Sequence, residues 1–147
     1  MHLGIPKESL PGETRVAATP ETVKKYVTAG HTVTLARGAG AGANFTDQAF
    51  EAAGATLGSQ ADALAADLVL KVRIPAEEEA KQMRKGAVLL GMLNPFDRAG
   101  LERLASAGVT AFAMEASPRI TRAQSLDVLS SQANLAGYKA VMLAADA

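Results

Sequence analysis

Cysteine is absent from the chain. Disulfides, thiolate nucleophiles and cysteine–zinc sites are therefore excluded at the outset. Excess charge is absent too: lysine plus arginine total 15, as do aspartate plus glutamate. A neutral balance gives no electrostatic footing for nucleic acid or for an anionic membrane surface. The two histidines, His2 and His31, are isolated and offer no metal-ligand spacing. No serine has a histidine placed to activate it, so a Ser-His-Asp reading has no support. No run approaches the roughly 20 apolar residues of a membrane helix, and no basic-then-apolar leader precedes the fold. The default expectation is a soluble intracellular protein with no direct membrane insertion. What is present is globular in composition, with 48% hydrophobic and 20% charged residues among 147. That length suits one domain with a real core.

Short apolar runs alternate with helical stretches. His2-Leu3-Gly4-Ile5 reads as a first strand ended by Pro6. Thr19-Pro20-Glu21 combines a capping hydroxyl, proline at the first helical position and acid in the first turn, so a helix starts there and runs to Gly30. His31 reads as a turn residue, and the β-branched run to Leu35 as a second strand. A Thr46-Asp47-capped helix ends at Gly54, and a short helix follows near Gln60–Ala65. Leu68–Val72 reads as a buried parallel strand, Ala87–Gly91 as the next and Val109–Met114 as the last. Helices opened by Pro75 and spanning 97–107 separate them. Five strands with intervening helices predict an α/β fold: an open, mostly parallel, Rossmann-like sheet with helices on both faces.

The last segment has a different pattern. From Thr121 onward, Leu126, Leu129, Ala133, Ala136, Ala140 and Leu143 fall on one side of a helix. Gln124, Asp127, Ser131 and Asn134 fall on the other. The spacing predicts a long amphipathic helix that ends uncapped on small residues, as a piece of a longer polypeptide would. The expected division is an α/β domain over 1–120 and the start of a linker helix over 121–147.

Three groups of residues invite a chemical reading. Gly38-Ala39-Gly40-Ala41-Gly42-Ala43 fits a loose dinucleotide-loop pattern, but the next helix cap comes only at Thr46-Asp47 and no acid ends the following strand. A glycine turn is the better reading. Lys71 interrupts an apolar strand. It either snorkels to solvent at the strand's carboxyl end or, with Arg15 at the same edge, faces an anion. Arg119, Gln124, Asp127 and Ser130 form the third group, a polar set that holds an amide or ribose or else caps its own helix. Glu77-Glu78-Glu79 followed by Lys81, Arg84 and Lys85 reads as a solvated helix face.

Gly4-Ile5-Pro6-Lys7-Glu8 with Glu13-Thr14-Arg15-Val16-Ala17-Ala18-Thr19-Pro20 resembles the N-terminal signature of the alanine dehydrogenase / pyridine nucleotide transhydrogenase family. The likeness continues through Leu70-Lys71-Val72 and, most specifically, through Pro118–Asp127 and Ser130–Tyr138. In the dehydrogenase branch, the resemblance implies an arginine and a lysine at the substrate, matched by Arg15 and Lys71, and a histidine as acid/base. Asn94 stands where that histidine aligns and cannot shuttle a proton. The Arg119–Gln124–Asp127 set resembles the transhydrogenase branch, whose NAD(H)-binding alpha subunit uses these residues as catalytic and cofactor contacts, with Ser130 another contact. The resemblance therefore implies hydride transfer between NAD(H) on this subunit and NADP(H) on a partner component, coupled to proton translocation. It also implies a homodimer, membrane components as further partners, and a cytoplasmic location peripheral to the inner membrane. The NAD-binding domain is expected beyond Ala147, so this piece alone is expected to bind NAD(H) weakly and to be inactive.

Overall fold

Six strands form one sheet in the computed structural model, which describes residues 1–146. They are β1 (His2–Ile5), β2 (Thr32–Ala36), β3 (Thr56–Gly58), β4 (Leu68–Arg73), β5 (Val88–Met92) and β6 (Thr110–Ala113). Their order is β3-β2-β1-β4-β5-β6, and every neighbouring pair is parallel. The chain winds from β1 to one edge, returns to place β4 beside β1, and winds to the other edge. β1 and β4 thus flank a switch point, where the connections diverge and a crevice opens at the carboxyl ends of the strands. Five of the strands are those the sequence pattern predicts. β3 is the addition: three residues between the stop at Gly54 and the cap at Ser59 are too few to show a period.

The helices are α1 (Pro20–Thr28), α2 (Asp47–Ala52), α3 (Gln60–Leu64), α4 (Glu77–Gln82), α5 (Arg98–Ser106) and α6 (Val128–Ala145). Capping chemistry sets several starts. Thr19 accepts from the Thr22 amide, Thr46 from Ala49, and Ser59 from Asp62 in a reciprocal capping box. Helices cover both faces. One apolar cluster joins Leu3, Ile5 and Leu70 of the sheet to Val23 of α1 and Phe50 of α2. The other joins Val69 and Leu89 to Leu64, Ala80, Met83 and Leu104. The glycine-rich stretch is a packed turn: a Cβ on Gly42 would lie 2.9 Å from the Thr14 carbonyl oxygen.

The end of the chain departs from the expected pattern. The long helix begins at Val128, not Thr121, because Asp127 has a non-helical ψ of 84° and its carboxylate caps the Ser130 amide. Residues Thr121–Leu126 form a separate 3-10 turn instead. The expected amphipathic division also fails. At about 100° per residue, Leu135, Tyr138 and Val141 share a flank with Ser131 and Asn134. No residue of α6 is buried, and all three of those apolar side chains are exposed.

Gly4 marks the tightest approach of helix to sheet. A Cβ there would collide with the Ala63 carbonyl oxygen and the Ala66 methyl group. Gly4→Ala should therefore destabilise the domain by about 1–3 kcal/mol in urea unfolding, as overpacking against backbone does. Gly137→Ala should cause no loss, since nothing lies within 4 Å of the point where its Cβ would stand.

Candidate functional site

At the switch point the strand ends wall a cavity of about 450 Å³. Leu70–Val72 at the end of β4 and Leu90–Met92 at the end of β5 form one side. Arg15 and Val16 come from the loop after β1, Thr19 and Tyr26 from α1 and its cap, and Val128 and Gln132 from α6. The wall is mainly apolar, with a few polar groups converging on it, which is the usual composition of a small-molecule site. Gly91 is required here, because a Cβ would strike the Lys71 carbonyl oxygen.

Lys71 lies at this edge with Arg15, as the strand spacing predicts, but its ammonium does not snorkel to solvent. The residue is 3% exposed. Its Nζ donates to Glu79 Oε1 at 3.1 Å and Oε2 at 3.2 Å, and lies 3.6 Å from Glu8 Oε2. Glu79 also accepts from the Ala76 amide, the Ser9 hydroxyl and the Gln60 side-chain amide. Glu8 accepts from the backbone N–H groups of Val72 and Arg73. Glu79 thus corrects the solvated-face reading of residues 77–79. Only Glu77 and Glu78 behave that way, pairing with Lys81 at the surface. The period of the acids in sequence does not reveal that α4 turns its third position onto the buried lysine.

Arg15 is similarly engaged. Its Nε donates to Glu13 Oε1 at 2.7 Å, Nη2 donates to Glu13 Oε2, and Nη1 donates to Gln132 Oε1 at 2.8 Å. Arg73 Nε donates to the same Glu13 carboxylate at 3.0 Å. The Arg15 guanidinium, aided by the Arg15 amide and by Arg73, outweighs burial and lowers Glu13 to about 2. For Glu79, burial pushes the carboxyl up, but the Ala76 amide, the Lys71 ammonium and the Ser9 hydroxyl together hold it below its ordinary value.

Arg119 and Gln124 are exposed and make no side-chain hydrogen bond among the described residues. Asp127 Oδ1 accepts from the Ser130 amide at 2.9 Å and Oδ2 from the Ser130 hydroxyl at 2.6 Å. The Ser130 hydroxyl and amide, with a smaller contribution from Arg119, hold Asp127 below its ordinary range. Asp127 is therefore a helix cap, and Gln124 lies in the 3-10 turn rather than on the helix. None of the four lines the cavity, although Val128, between Asp127 and Ser130, does. The sequence pattern assigns no role to Gln132, Glu8, Glu13 or Glu115, and a surface role to Glu79. Glu8 and Glu13 are signalled by the charge density of the opening stretch; Gln132 carries no signal beyond its place within the family-like segment Ser130–Tyr138. Glu115 Oε1 accepts from the Asn94 amide at 2.6 Å, and Oε2 is buried without a partner among the described residues. Asn94 itself is exposed, with φ of 49°.

Two consequences are measurable. Glu13 and Glu79 have folded-state pKa values below the ordinary 4.5, so the unfolded chain binds protons more readily. Their stabilisation is fully present above pH 4.5 and is lost as pH falls toward 2; acid titration of the unfolding free energy should show that decline. Lys71→Met should cost about 3–5 kcal/mol, because it leaves buried carboxylates without their cation. Lys71→Met/Glu79→Gln should recover part of that loss in the same denaturant assay.

Residues 4–136 match the family model described as "Alanine dehydrogenase/PNT, N-terminal domain". The first portion of NAD(P) transhydrogenase subunit alpha from Rhodospirillum rubrum is 52% identical over 97% of this chain and 39% of its own length. Alanine dehydrogenase 1 of Staphylococcus aureus is 33% identical over 99% of this chain and 38% of its own. The crystal structure of transhydrogenase from Sinorhizobium meliloti superimposes with a TM-score of 0.95 at 51% identity, over 99% of this chain and 44% of that one. The chain thus spans less than half the length of these relatives. With nearly its whole length matched, the chain belongs to the alanine dehydrogenase/PNT N-terminal domain family.

Proposed function

We propose that this chain is the N-terminal part of the NAD(H)-binding alpha subunit of a proton-translocating NAD(P) transhydrogenase. Residues 1–120 are its first domain, and 121–147 lead toward the second. The observation that carries this reading is the end of β5. Asn94 stands where the dehydrogenase branch places its acid/base, exposed and with its amide bound to Glu115. Among the described residues, no histidine lines the cavity. His2 lies at the start of β1, hydrogen-bonded to Thr34, and His31 follows α1 just before β2. Amino-acid dehydrogenation needs a group that moves a proton at the reacting centre, and direct hydride transfer does not. The higher identity to transhydrogenase subunits than to alanine dehydrogenase supports the same branch.

The donor set suits a nicotinamide. Gln124 offers an amide N–H and a carbonyl oxygen, the complement of a carboxamide, and neither is used within the described residues. Arg119 brings an uncommitted guanidinium to the same segment. Asp127 and Ser130 satisfy one another, which fixes the hydroxyl and leaves its lone pairs available to a ligand. NAD(H) supplies the transferable hydride, and NADP(H) on a partner component receives or returns it. This chain's task is to orient one ring and keep water from the contact. Arg15 and Lys71 mark the substrate side of the family's cleft, each already held by a carboxylate. A homodimer and membrane components complete the assembly, which places this chain at the membrane surface. No helix among the described residues is long and apolar enough to cross a membrane.

Gln124→Ala should lower NADH-to-NADP⁺-analogue hydride transfer about tenfold or more in the complete enzyme, as misorientation at a reacting centre does. Thermal unfolding should be unchanged, since that side chain is exposed. Alanine-dependent NAD⁺ reduction should be absent both from the native enzyme and from Asn94→His. Alanine turnover by either would overturn the assignment.

A further inference from the structure

The segment that carries Gln124, Asp127 and Ser130 has very few attachments to the body of the domain. Among the described residues, one hydrogen bond joins residues 118–146 to residues 1–116: Arg15 Nη1 to Gln132 Oε1, at 2.8 Å. The other holds are apolar: Leu126 and Val128 border hollows with residues at the ends of β4, β5 and β6. Ala123 is 8% exposed and is the one buried residue between 117 and 146. Ala123 and Gln132 bracket Gln124, Asp127 and Ser130 along the chain. Inside the bracket, the 3-10 turn and the Asp127 cap give the stretch its own shape; Leu126 and Val128 meet the sheet edge, but among the described residues no hydrogen bond ties the stretch to the sheet.

Arg15 is suited to be the fixed half of such a contact. Glu13 holds its Nε and Nη2, and Arg73 braces the same carboxylate from the end of β4. The guanidinium is therefore oriented before Gln132 reaches it, and the bond to the amide oxygen is charge-assisted. Gln132 also borders the cavity with Val128, so the second turn of α6 is registered directly against the switch point.

We propose that Gln132 is a positioning residue: through Arg15 it sets where the Gln124–Ser130 segment stands over the carboxyl edge of the sheet, and hence how the nicotinamide is presented for hydride transfer. The inference rests on the transhydrogenase reading for its last step only. Gln132→Met keeps the length of the side chain and removes the acceptor. Gln132→Glu keeps an acceptor oxygen facing Arg15.

The test measures hydrogen exchange and NADH-to-NADP⁺-analogue hydride transfer on the complete enzyme. In Gln132→Met, amides of residues 119–132 should exchange roughly tenfold faster, while those of β1 and β4 are unaltered. The transfer rate should fall by about tenfold with little change in the KM for NADH, the mark of lost orientation rather than lost binding. Gln132→Glu should restore both. Unaltered exchange in Gln132→Met would overturn the contact itself. Faster exchange with unchanged transfer would overturn its positioning role while leaving the transhydrogenase reading in place. That reading fails separately, if the complete native enzyme shows no NADH-to-NADP⁺-analogue hydride transfer or turns over alanine, whatever the exchange result.

Discussion

The ammonium of Lys71 is the constraint around which the sheet's carboxyl edge is organised. Removing a charge from water costs several kcal/mol even after relaxation, unless good partners surround it. Here Glu79 and Glu8 flank it, and their remaining lone pairs are used as well, by Ala76, Ser9 and Gln60 on one carboxylate and by Val72 and Arg73 on the other. These partners come from the loop after β1, the first turn of α3, the end of β4 and the first turns of α4. Satisfying one cation therefore fixes how four segments meet. The arrangement extends outward through Arg73 to Glu13 and Arg15, and so to the cavity wall.

This network determines the electrostatic character of the site. Lys71, Arg15 and Arg73 alternate with Glu8, Glu13 and Glu79, so the cations at the strand ends reach the cavity with their charge already answered. An anion entering there competes with carboxylates held at short range. Recognition by neutral, directional groups is the better match to such a wall, and the exposed amide of Gln124 is that kind of group. Arg119 lies outside the network and retains an uncommitted charge. On the transhydrogenase reading this separation has a clear use: the buried charges hold the architecture, and the exposed donors meet the cofactor.

Much of this is legible in the chain. Thr19, Thr46 and Ser59 announce helix starts by their chemistry, and the apolar runs announce five strands. The opening stretch and residues 118–138 carry the family resemblance. What is not legible depends on contacts between segments distant in sequence. Lys71 looks unpaired because its partners are eight residues ahead, at a helix position that shares its acidic pattern with two solvated neighbours, and 63 residues behind, in a loop. β3 is too short to have a period. The start of α6 is hidden because a 3-10 turn and an α-helix present similar spacing over six residues, and only the Asp127 cap separates them. Gln132 gives little signal, since its importance comes from Arg15, at the far end of the chain.

Stability and placement are therefore carried by different parts of the molecule. The Lys71 cluster is deep, redundant in its hydrogen bonds and costly to break, so it governs whether the edge of the sheet exists. The segment from Arg119 to Ser130 is almost wholly exposed and stands at that edge on a few apolar contacts and one polar clasp just beyond it, Gln132 to Arg15. A chemical step that depends on two rings meeting at contact distance is sensitive to displacements of about 1 Å, which can cost about a hundredfold in rate. Such a displacement is within reach of a segment so lightly held and out of reach of one held by a buried ion cluster. On the transhydrogenase reading, the lightly attached stretch is thus where small changes in contact translate most directly into the geometry of hydride transfer.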